Sequence, residues 1–221
     1  MQYIIDHIPR TTPCNRRPGL AMSPQYITIH STGNPSSTAR NERAWLTNSS
    51  NKVTASWHIV VDEKEAIEAI PLTEVAWHAG DGSGQGNRAS IGIEICESGN
   101  RAKTLENAVK LVAKLLKERG WGIDRLRRHY DWSGKICPRI LQPNNWAGWE
   151  QFKRDVQKEL SGGGSVAQDK NQPSTWAKTA WEWGKQAKIT DGTSPQGNVT
   201  REQVVTMLNN YHEYLMKVLQ K

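Results

Sequence analysis

The sequence predicts an α/β fold, with helices packed on a β-sheet, joined to a small all-α module. Three observations lead to this prediction. Runs of β-branched and alternating apolar residues, typical of strands, occupy residues 25–30, 57–62, 66–70 and 90–96. Segments with apolar residues at helical spacing follow at 104–120 and 149–160. Beyond a segment rich in Gly and Ser, the remaining chain carries only helical spacing.

The strands are bounded by turn signals. Residues 1–24 are rich in Pro, Arg and Asn and have little periodicity, so they predict an irregular opening segment. The first strand ends at His30, where Ser31–Asn34 indicates a loop. The next two strands are separated by Asp62–Glu65, which predicts a hairpin.

Three helices are expected in the first domain. Residues 37–48 carry a helical pattern that Asn48–Asn51 ends. Thr104 is expected to cap a second helix, which ends at Gly120 and packs on the sheet. A third helix closes the domain, and its apolar positions are Trp149, Phe152, Val156 and Leu160.

The domain boundaries follow from composition. Residues 161–165 read as a flexible linker, so we expect a first domain at 1–160, a linker at 161–172 and a helical module at 173–221. In the module we expect a helix from residue 173 that includes Trp176, a loop that includes 195–198, and a second helix. Thr200 and Gln203 form a capping box for that second helix. Two helices bury little core alone, so the module is expected to self-associate or to dock on a partner.

The composition excludes several classes of protein. A mean hydropathy of −0.70, with no apolar run of roughly 18 residues, argues against insertion into a membrane. The net charge is +7, but no concentrated Lys/Arg face or nucleic-acid motif accompanies it, so no nucleic-acid partner is expected. Three cysteines are an odd number and do not suggest a disulfide framework, so Cys14 and Cys96 are expected to be unpaired thiols, with a Cys14–Cys96 bridge as the alternative.

The most informative stretch is Arg128–Pro138, which places His129, Lys135 and Cys137 around a Ser-Gly turn. Imidazole and thiolate are the ligands that suit a borderline-soft divalent metal such as zinc. Because a catalytic zinc has three protein ligands and one open position, a third ligand and a base are needed from elsewhere.

Two strand residues are candidates for these roles. His30 ends a buried strand and is placed to point into a site. Glu94 lies in an apolar strand, on the side opposite Ile91, Ile93 and Ile95. An acid in such surroundings costs several kcal/mol unless something satisfies it.

These residues and the sequence around them resemble those of the zinc-dependent N-acetylmuramoyl-L-alanine amidases. This superfamily includes phage endolysins, Bacillus-type autolysins and peptidoglycan recognition proteins. The resemblance covers roughly the first 160 residues and implies a central mixed β-sheet flanked by helices. It implies Zn²⁺ held by His30, His129 and Cys137, with Glu94 as the base. Lys135 would stabilise the oxyanion while the bond between N-acetylmuramic acid and L-alanine in peptidoglycan is cut.

The resemblance also implies a substrate groove near Trp57, Trp77, His78 and Asn87. These amidases often have a tyrosine at the place of Trp57, so a step assisted by tyrosine is not expected here. A core role for Trp57 and a loop-anchoring role for His78 remain open alternatives, and His58 is expected to be structural.

The C-terminal text resembles a surface-layer-homology-like repeat or the tails of phage and clostridial amidases. This implies a module that binds a secondary wall polymer or forms homo-oligomers. Because the first residues lack the features of a secretion signal, the expected setting is a phage endolysin that waits in the host cytoplasm and then acts on the cell wall. A bacterial autolysin and a non-catalytic peptidoglycan-binding module are the alternatives.

Overall fold

A mixed six-stranded β-sheet organises the first part of the structure, which is a computed structural model that describes residues 1–162, 173, 178–194 and 199–219. Its strands are β1 (Gln2–Ile5), β2 (Tyr26–Ser31), β3 (Ile59–Val61), β4 (Glu65–Glu68), β5 (Ser90–Ile95) and β6 (Leu126–Arg128). Their order across the sheet is β1-β4-β3-β5-β2-β6. Only β3 and β4 pair antiparallel, which confirms the predicted hairpin and the mixed sheet.

The described chain divides into two compact units, Met1–Gly163 and Gly164–Lys221. Residues 163–172 of the predicted linker lie outside the described residues. The same holds for residues 174–177 of the predicted helix, which include Trp176, and for the predicted loop at 195–198.

The helices of the first unit follow or precede strands of the sheet. They are α1 (Ala39–Thr47), α2 (Gln85–Arg88), α3 (Arg101–Glu118), α4 (Tyr130–Ser133) and α5 (Pro143–Leu160), with 3-10 helices at Pro13–Asn15, Ile123–Arg125 and Arg139–Leu141. All three helices expected from the sequence are present. Gly120, in the left-handed conformation at φ 65°, follows the end of α3 as expected.

Two sequence-based expectations about local structure are wrong. Thr104 does not cap α3, because the helix begins a turn earlier, where the side chain of Asn100 accepts a hydrogen bond from the amide of Lys103. Thr104 is instead buried inside the helix. The opening segment is also not wholly irregular, since Gln2–Ile5 forms the edge strand β1. Edge pairing with β4 supplies its order, although its side chains are mostly exposed and carry no clear alternation.

The two faces of the sheet have different chemistry. One face carries Ile27, Ile29, Ile91, Ile93 and Ile95, which form a core with α3 and α5. Strand side chains alternate between faces, so Thr28, His30, Gly92 and Glu94 share the other face. Because β2 and β5 are parallel, His30 and Glu94 lie side by side as register partners, near the carboxyl-terminal ends of the two strands.

Arg16 is a buried cation that organises the loop between α1 and β3. Its side chain is 0% exposed, and its guanidinium donates to the carbonyls of Leu46 and Val53, each at 2.9 Å, and to that of Asn51. Since every buried carbonyl needs a donor, one planar side chain satisfies the end of α1 and the turn after it.

The second unit contains α6 (Lys178–Gln186) and α7 (Arg201–Leu219). The expected capping box is confirmed, because Thr200 and Gln203 exchange side-chain to backbone hydrogen bonds. Trp183 packs edge-on against Tyr211 and Tyr214. Along α7 no residue is buried. None of the helices in the described ranges combines the length and apolar character that a membrane crossing requires.

Replacement of Arg16 by alanine is expected to lower the free energy of unfolding by about 3 kcal/mol, because it leaves buried carbonyls without donors and opens a cavity. Urea denaturation measures this. Arg154→Ala, at an exposed position of α5, should stay within about 0.5 kcal/mol of the parent protein. An Arg16→Ala midpoint equal to that of the control would show that the hydrogen bonds of Arg16 add nothing to stability.

Candidate metal centre and active site

Three side chains from separate segments converge at the carboxyl-terminal ends of strands β2 and β6. His30 lies near the end of β2, His129 directly follows β6, and Cys137 comes from the loop after α4. All three are buried, and their ligand atoms lie within 4.8 Å of one another. The loop is closed on itself, since the amide of Tyr130 donates to the carbonyl of Cys137 at 3.1 Å.

The donor set fits zinc. With zinc bonds of about 2.0–2.3 Å, neighbouring ligand atoms of a tetrahedral site lie roughly 3.3–3.7 Å apart. The thiol Sγ of Cys137 and Nδ1 of His30 are 3.7 Å apart. Among the residues that the structure describes, no fourth His, Cys, Asp or Glu joins this group. Three protein ligands with one open position are typical of catalytic zinc rather than structural zinc.

A second histidine fixes the orientation of His30. Burial lowers the pKa of His78 to about 3, so its ring is neutral and has one donor and one acceptor nitrogen. His78 Nε2 lies 3.1 Å from the carbonyl of Ser90 and must donate, which leaves Nδ1 to accept from His30 Nε2 at 3.1 Å. The Nδ1 lone pair of His30 is therefore free to bind a metal.

Gly92 makes room for this arrangement, a role that was not predicted from the sequence. A Cβ atom at Gly92 would lie 2.7 Å from the ring of His78, too close for any other residue. On the same strand the amide of Gly92 donates to Nδ1 of His58 at 2.9 Å. The available signal was a glycine inside an apolar strand, which indicates close approach of another group.

Glu94 lies beside the ligands. Its Oε1 is 3.9 Å from Nδ1 of His30, and its buried Oε2 has no hydrogen-bond partner. Burial raises the pKa of Glu94 to about 8, while the positive charge of Lys135 acts in the opposite direction. A divalent cation bound nearby would also favour the charged form of this carboxylate.

Lys135 is exposed at the rim. Its positive charge affects the pKa of a neighbouring ligand. Burial is the main cause that lowers the pKa of His129 to about 4, and the charge of Lys135 lowers it further. Burial likewise raises the pKa of the Cys137 thiol to about 12. Since only the thiolate binds a metal well, metal binding at this site must release the thiol proton.

All nine residues that the sequence analysis proposed for the site line one cavity of about 550 Å³. They are His30, Glu94, His129, Lys135, Cys137, Trp57, Trp77, His78 and Asn87. Residues 54–56, which were not among the predicted site residues, line it as well. They come from an irregular segment without periodicity, so no sequence pattern identified them.

The four proposed substrate-binding residues differ in how free their polar groups are. Asn87 accepts from the amides of His78 and Ala79, each at 2.8 Å, and so anchors the glycine-rich loop. Both ring nitrogens of His78 are hydrogen-bonded, one to the ring of His30 and the other to the carbonyl of Ser90. Trp77 donates its indole N–H to the carbonyl of Asn15. Trp57 stacks on Trp45 with ring centroids 5.8 Å apart, and its buried Nε1 has no hydrogen-bond partner.

Comparison with known proteins identifies the family that the sequence motifs resemble. The sequence profile of the N-acetylmuramoyl-L-alanine amidase family matches residues 20–140. The chain is 50% identical over 152 residues to N-acetylmuramoyl-L-alanine amidase XlyB of Bacillus subtilis (strain 168), a match that covers 66% of this chain and 46% of XlyB. It is 47% identical over 174 residues to the amidase CwlA of the same organism, covering 72% of this chain and 62% of CwlA. The chain thus spans about half to three fifths of these relatives.

A solved structure has the same fold. The catalytic domain of XlyA aligns with a TM-score of 0.65 and 42% sequence identity, and the alignment covers 71% of this chain and 99% of that domain. This confirms the α/β class with a mixed central sheet and flanking helices.

His58 should make the metal-free protein sensitive to acid. It is fully buried, donates from Nε2 to the carbonyl of Glu74 at 2.8 Å and accepts from Gly92. Burial lowers its pKa from 6.5 to about 4. Between these two pH values the unfolded chain binds a proton that the folded chain does not, so stability falls as the pH falls from about 6.5 towards 4.

Urea midpoints of the metal-free protein at pH 7 and pH 5 measure this loss. His58→Gln should reduce the difference between the two midpoints, although the other buried histidines still contribute. His212→Gln, on the exposed surface of α7, should leave the difference unchanged. Equal pH dependence in His58→Gln and the parent protein would contradict this role.

Proposed function

Because this chain belongs to the N-acetylmuramoyl-L-alanine amidase family, we propose that it hydrolyses the amide bond between N-acetylmuramic acid and L-alanine in bacterial peptidoglycan. The observation that carries the proposal is the convergence of two imidazoles and a thiol within 4.8 Å, beside a carboxylate that lacks a partner for one oxygen. This arrangement lies at the wall of an open cavity rather than inside the core.

The residues have separate tasks. His30, His129 and Cys137 would hold the metal, and zinc when bound lowers the pKa of water to about 7 and polarises the scissile carbonyl. Glu94 accepts the proton of the attacking water and delivers it to the leaving amine. Lys135 places positive charge where the oxyanion develops.

The cavity walls would orient the substrate. Trp57 and Trp77 line the cavity with aromatic rings, which suit sugar rings and the apolar side of a peptide. Trp57 is only 6% exposed and also packs in a hydrophobic cluster with Val60 and Ile67, so Trp77 offers the larger free surface. His78 and Asn87 act one step further away, because their polar groups hold His30 and the glycine-rich loop. We therefore expect substitutions at the two tryptophans to weaken substrate binding, and those at His78 to weaken metal binding.

Mass spectrometry of the fragments released from purified peptidoglycan tests the proposal. Free L-alanine amino termini should appear, should be lost when a chelator removes the metal, and should return when zinc is added back. Release of glycan reducing ends instead, or cleavage that the chelator does not affect, would contradict the proposed chemistry. Binding of peptidoglycan without any cleavage would favour a non-catalytic recognition module.

Glu94→Gln should lower the rate of cleavage at least about 100-fold, because the amide cannot accept the proton, while stoichiometric zinc binding persists. Release of amino termini and metal content are measured on the same sample. Glu106→Gln, which changes an exposed carboxylate on α3, should leave both unchanged. A Glu94→Gln enzyme with near-normal activity would show that another group serves as the base.

We further propose that residues 1–160 form the catalytic domain of an endolysin acting on the cell wall, linked through residues 161–172 to the module at 173–221. The exposed apolar side chains of α7 support a binding role for the module. They include Val205 at 66% and Leu208 at 61% exposure. We propose that the module self-associates, since paired α7 helices would cover these side chains, and a wall polymer is the alternative ligand.

Sedimentation of the full chain tests self-association. We expect oligomers at micromolar concentration. Val205→Asp should weaken self-association and raise its dissociation constant at least about tenfold, because it places a charge in the buried interface. Asn209→Asp, one turn further along the same side of α7, introduces the same charge without removing an apolar group and should have a smaller effect. A parent protein that is monomeric throughout would exclude self-association and leave the wall polymer.

A further inference from the structure

A single buried carboxylate joins the chain segments that carry the proposed metal ligands. Glu97 follows the end of β5, and its side chain is only 5% exposed. Its Oε1 accepts from the amide of Gly33 at 3.0 Å. Both of its carboxylate oxygens also accept from Arg139, with Nε at 2.9 and 3.0 Å and Nη2 at 2.6 Å.

The positions of these residues in the sequence give the contacts their meaning. Gly33 lies three residues after His30, Arg139 lies two residues after Cys137, and Glu97 lies three residues after Glu94. The carboxylate therefore ties the segment of one ligand to the segment of another, and both to the segment of the proposed base. None of these four hydrogen bonds involves a ligand side chain itself.

We propose that Glu97 and Arg139 are positioning residues, which hold His30 and Cys137 at the separation that a metal requires and thereby set the affinity for zinc. This inference rests on the metal site of the proposed function and adds residues to it. A planar guanidinium that binds both oxygens of a buried carboxylate fixes direction as well as distance. The ligand separation is thus built before any metal enters.

A second ion pair in the same domain provides a matched control. Arg40 donates to Glu65 at 2.8 Å, and the side-chain exposures of this pair, 67% and 11%, resemble the 53% and 5% of Arg139 and Glu97. Arg40 lies on α1 and Glu65 on β4, neither of which carries a proposed metal ligand. The two pairs are therefore similar in burial and differ in what they connect, although Arg40 makes one hydrogen bond to its carboxylate where Arg139 makes three.

The experiment measures the zinc dissociation constant by competition with a chelator in the full chain, at a temperature where circular dichroism shows every variant to be folded. Arg139→Met and Glu97→Gln should each raise the dissociation constant about tenfold, the lower end of the effect of losing a direct hydrogen-bond partner of a metal ligand, because this pair acts only through the chain segments that carry the ligands. Arg139→Lys keeps the charge but not the planar fork, so it should fall between these variants and the parent protein. Arg40→Met and Glu65→Gln should remain within about twofold of the parent protein.

Cobalt substitution adds a spectroscopic signature that a general loss of stability would not produce. Because the thiolate of Cys137 would bind the cobalt, a displaced loop should change the thiolate-to-cobalt charge-transfer band in Arg139→Met and not in Arg40→Met. Unchanged zinc affinity and an unchanged band in a folded Arg139→Met protein would overturn the positioning role.

The outcomes separate this inference from the proposed function. A parent protein that binds zinc and cleaves the wall, with variants that bind zinc equally tightly, would refute the positioning role alone. A parent protein that binds no zinc would refute the metal site on which both depend. Weaker zinc binding in the Glu97 and Arg139 variants, with unaffected Arg40 and Glu65 variants, supports the inference even before activity is measured.

Discussion

Parallel pairing of β2 with β5 sets His30 opposite Glu94, and the burial of five isoleucines on the other face holds that register. A slip of one residue would turn every side chain of a strand to the opposite face, so that isoleucines would enter the site and the histidine would enter the core. The hydrophobic face of the sheet therefore specifies the geometry of the polar face. Without this constraint, His129 and Cys137 would have no third donor to meet.

Buried polar groups around the site are satisfied in an ordered chain. In β5, Gly92 is hydrogen-bonded to His58 and Ser90 to His78. His78 in turn accepts a hydrogen bond from His30 and so fixes the orientation of the His30 ring. Such chains fix the tautomers of metal ligands, because a neutral imidazole that donates at one nitrogen must accept or ligate at the other. The site is rigid on the side of the sheet for this reason.

The cavity side of the site is different. Glu94 Oε2, Thr32 Oγ1 and Trp57 Nε1 are buried atoms without hydrogen-bond partners, and their residues all line the cavity. An unsatisfied buried polar atom costs about 1–3 kcal/mol, so stability is lost where the proposed chemistry occurs. Elsewhere in the first unit, buried charged groups have several hydrogen-bond partners, as Arg16 and Glu97 do.

The sequence by itself determined four strands, the hairpin and the main helices, because their periodicity and turn residues are local. It also identified the His129–Cys137 loop, since two suitable donors occur within one short segment. Edge strand β1, the fit of His78 against Gly92, and the Glu97–Arg139 pair were decided only by the tertiary structure. Each of these depends on partners far apart in the chain, such as Glu97 and Arg139, and a contact between distant residues leaves no periodic pattern in the sequence.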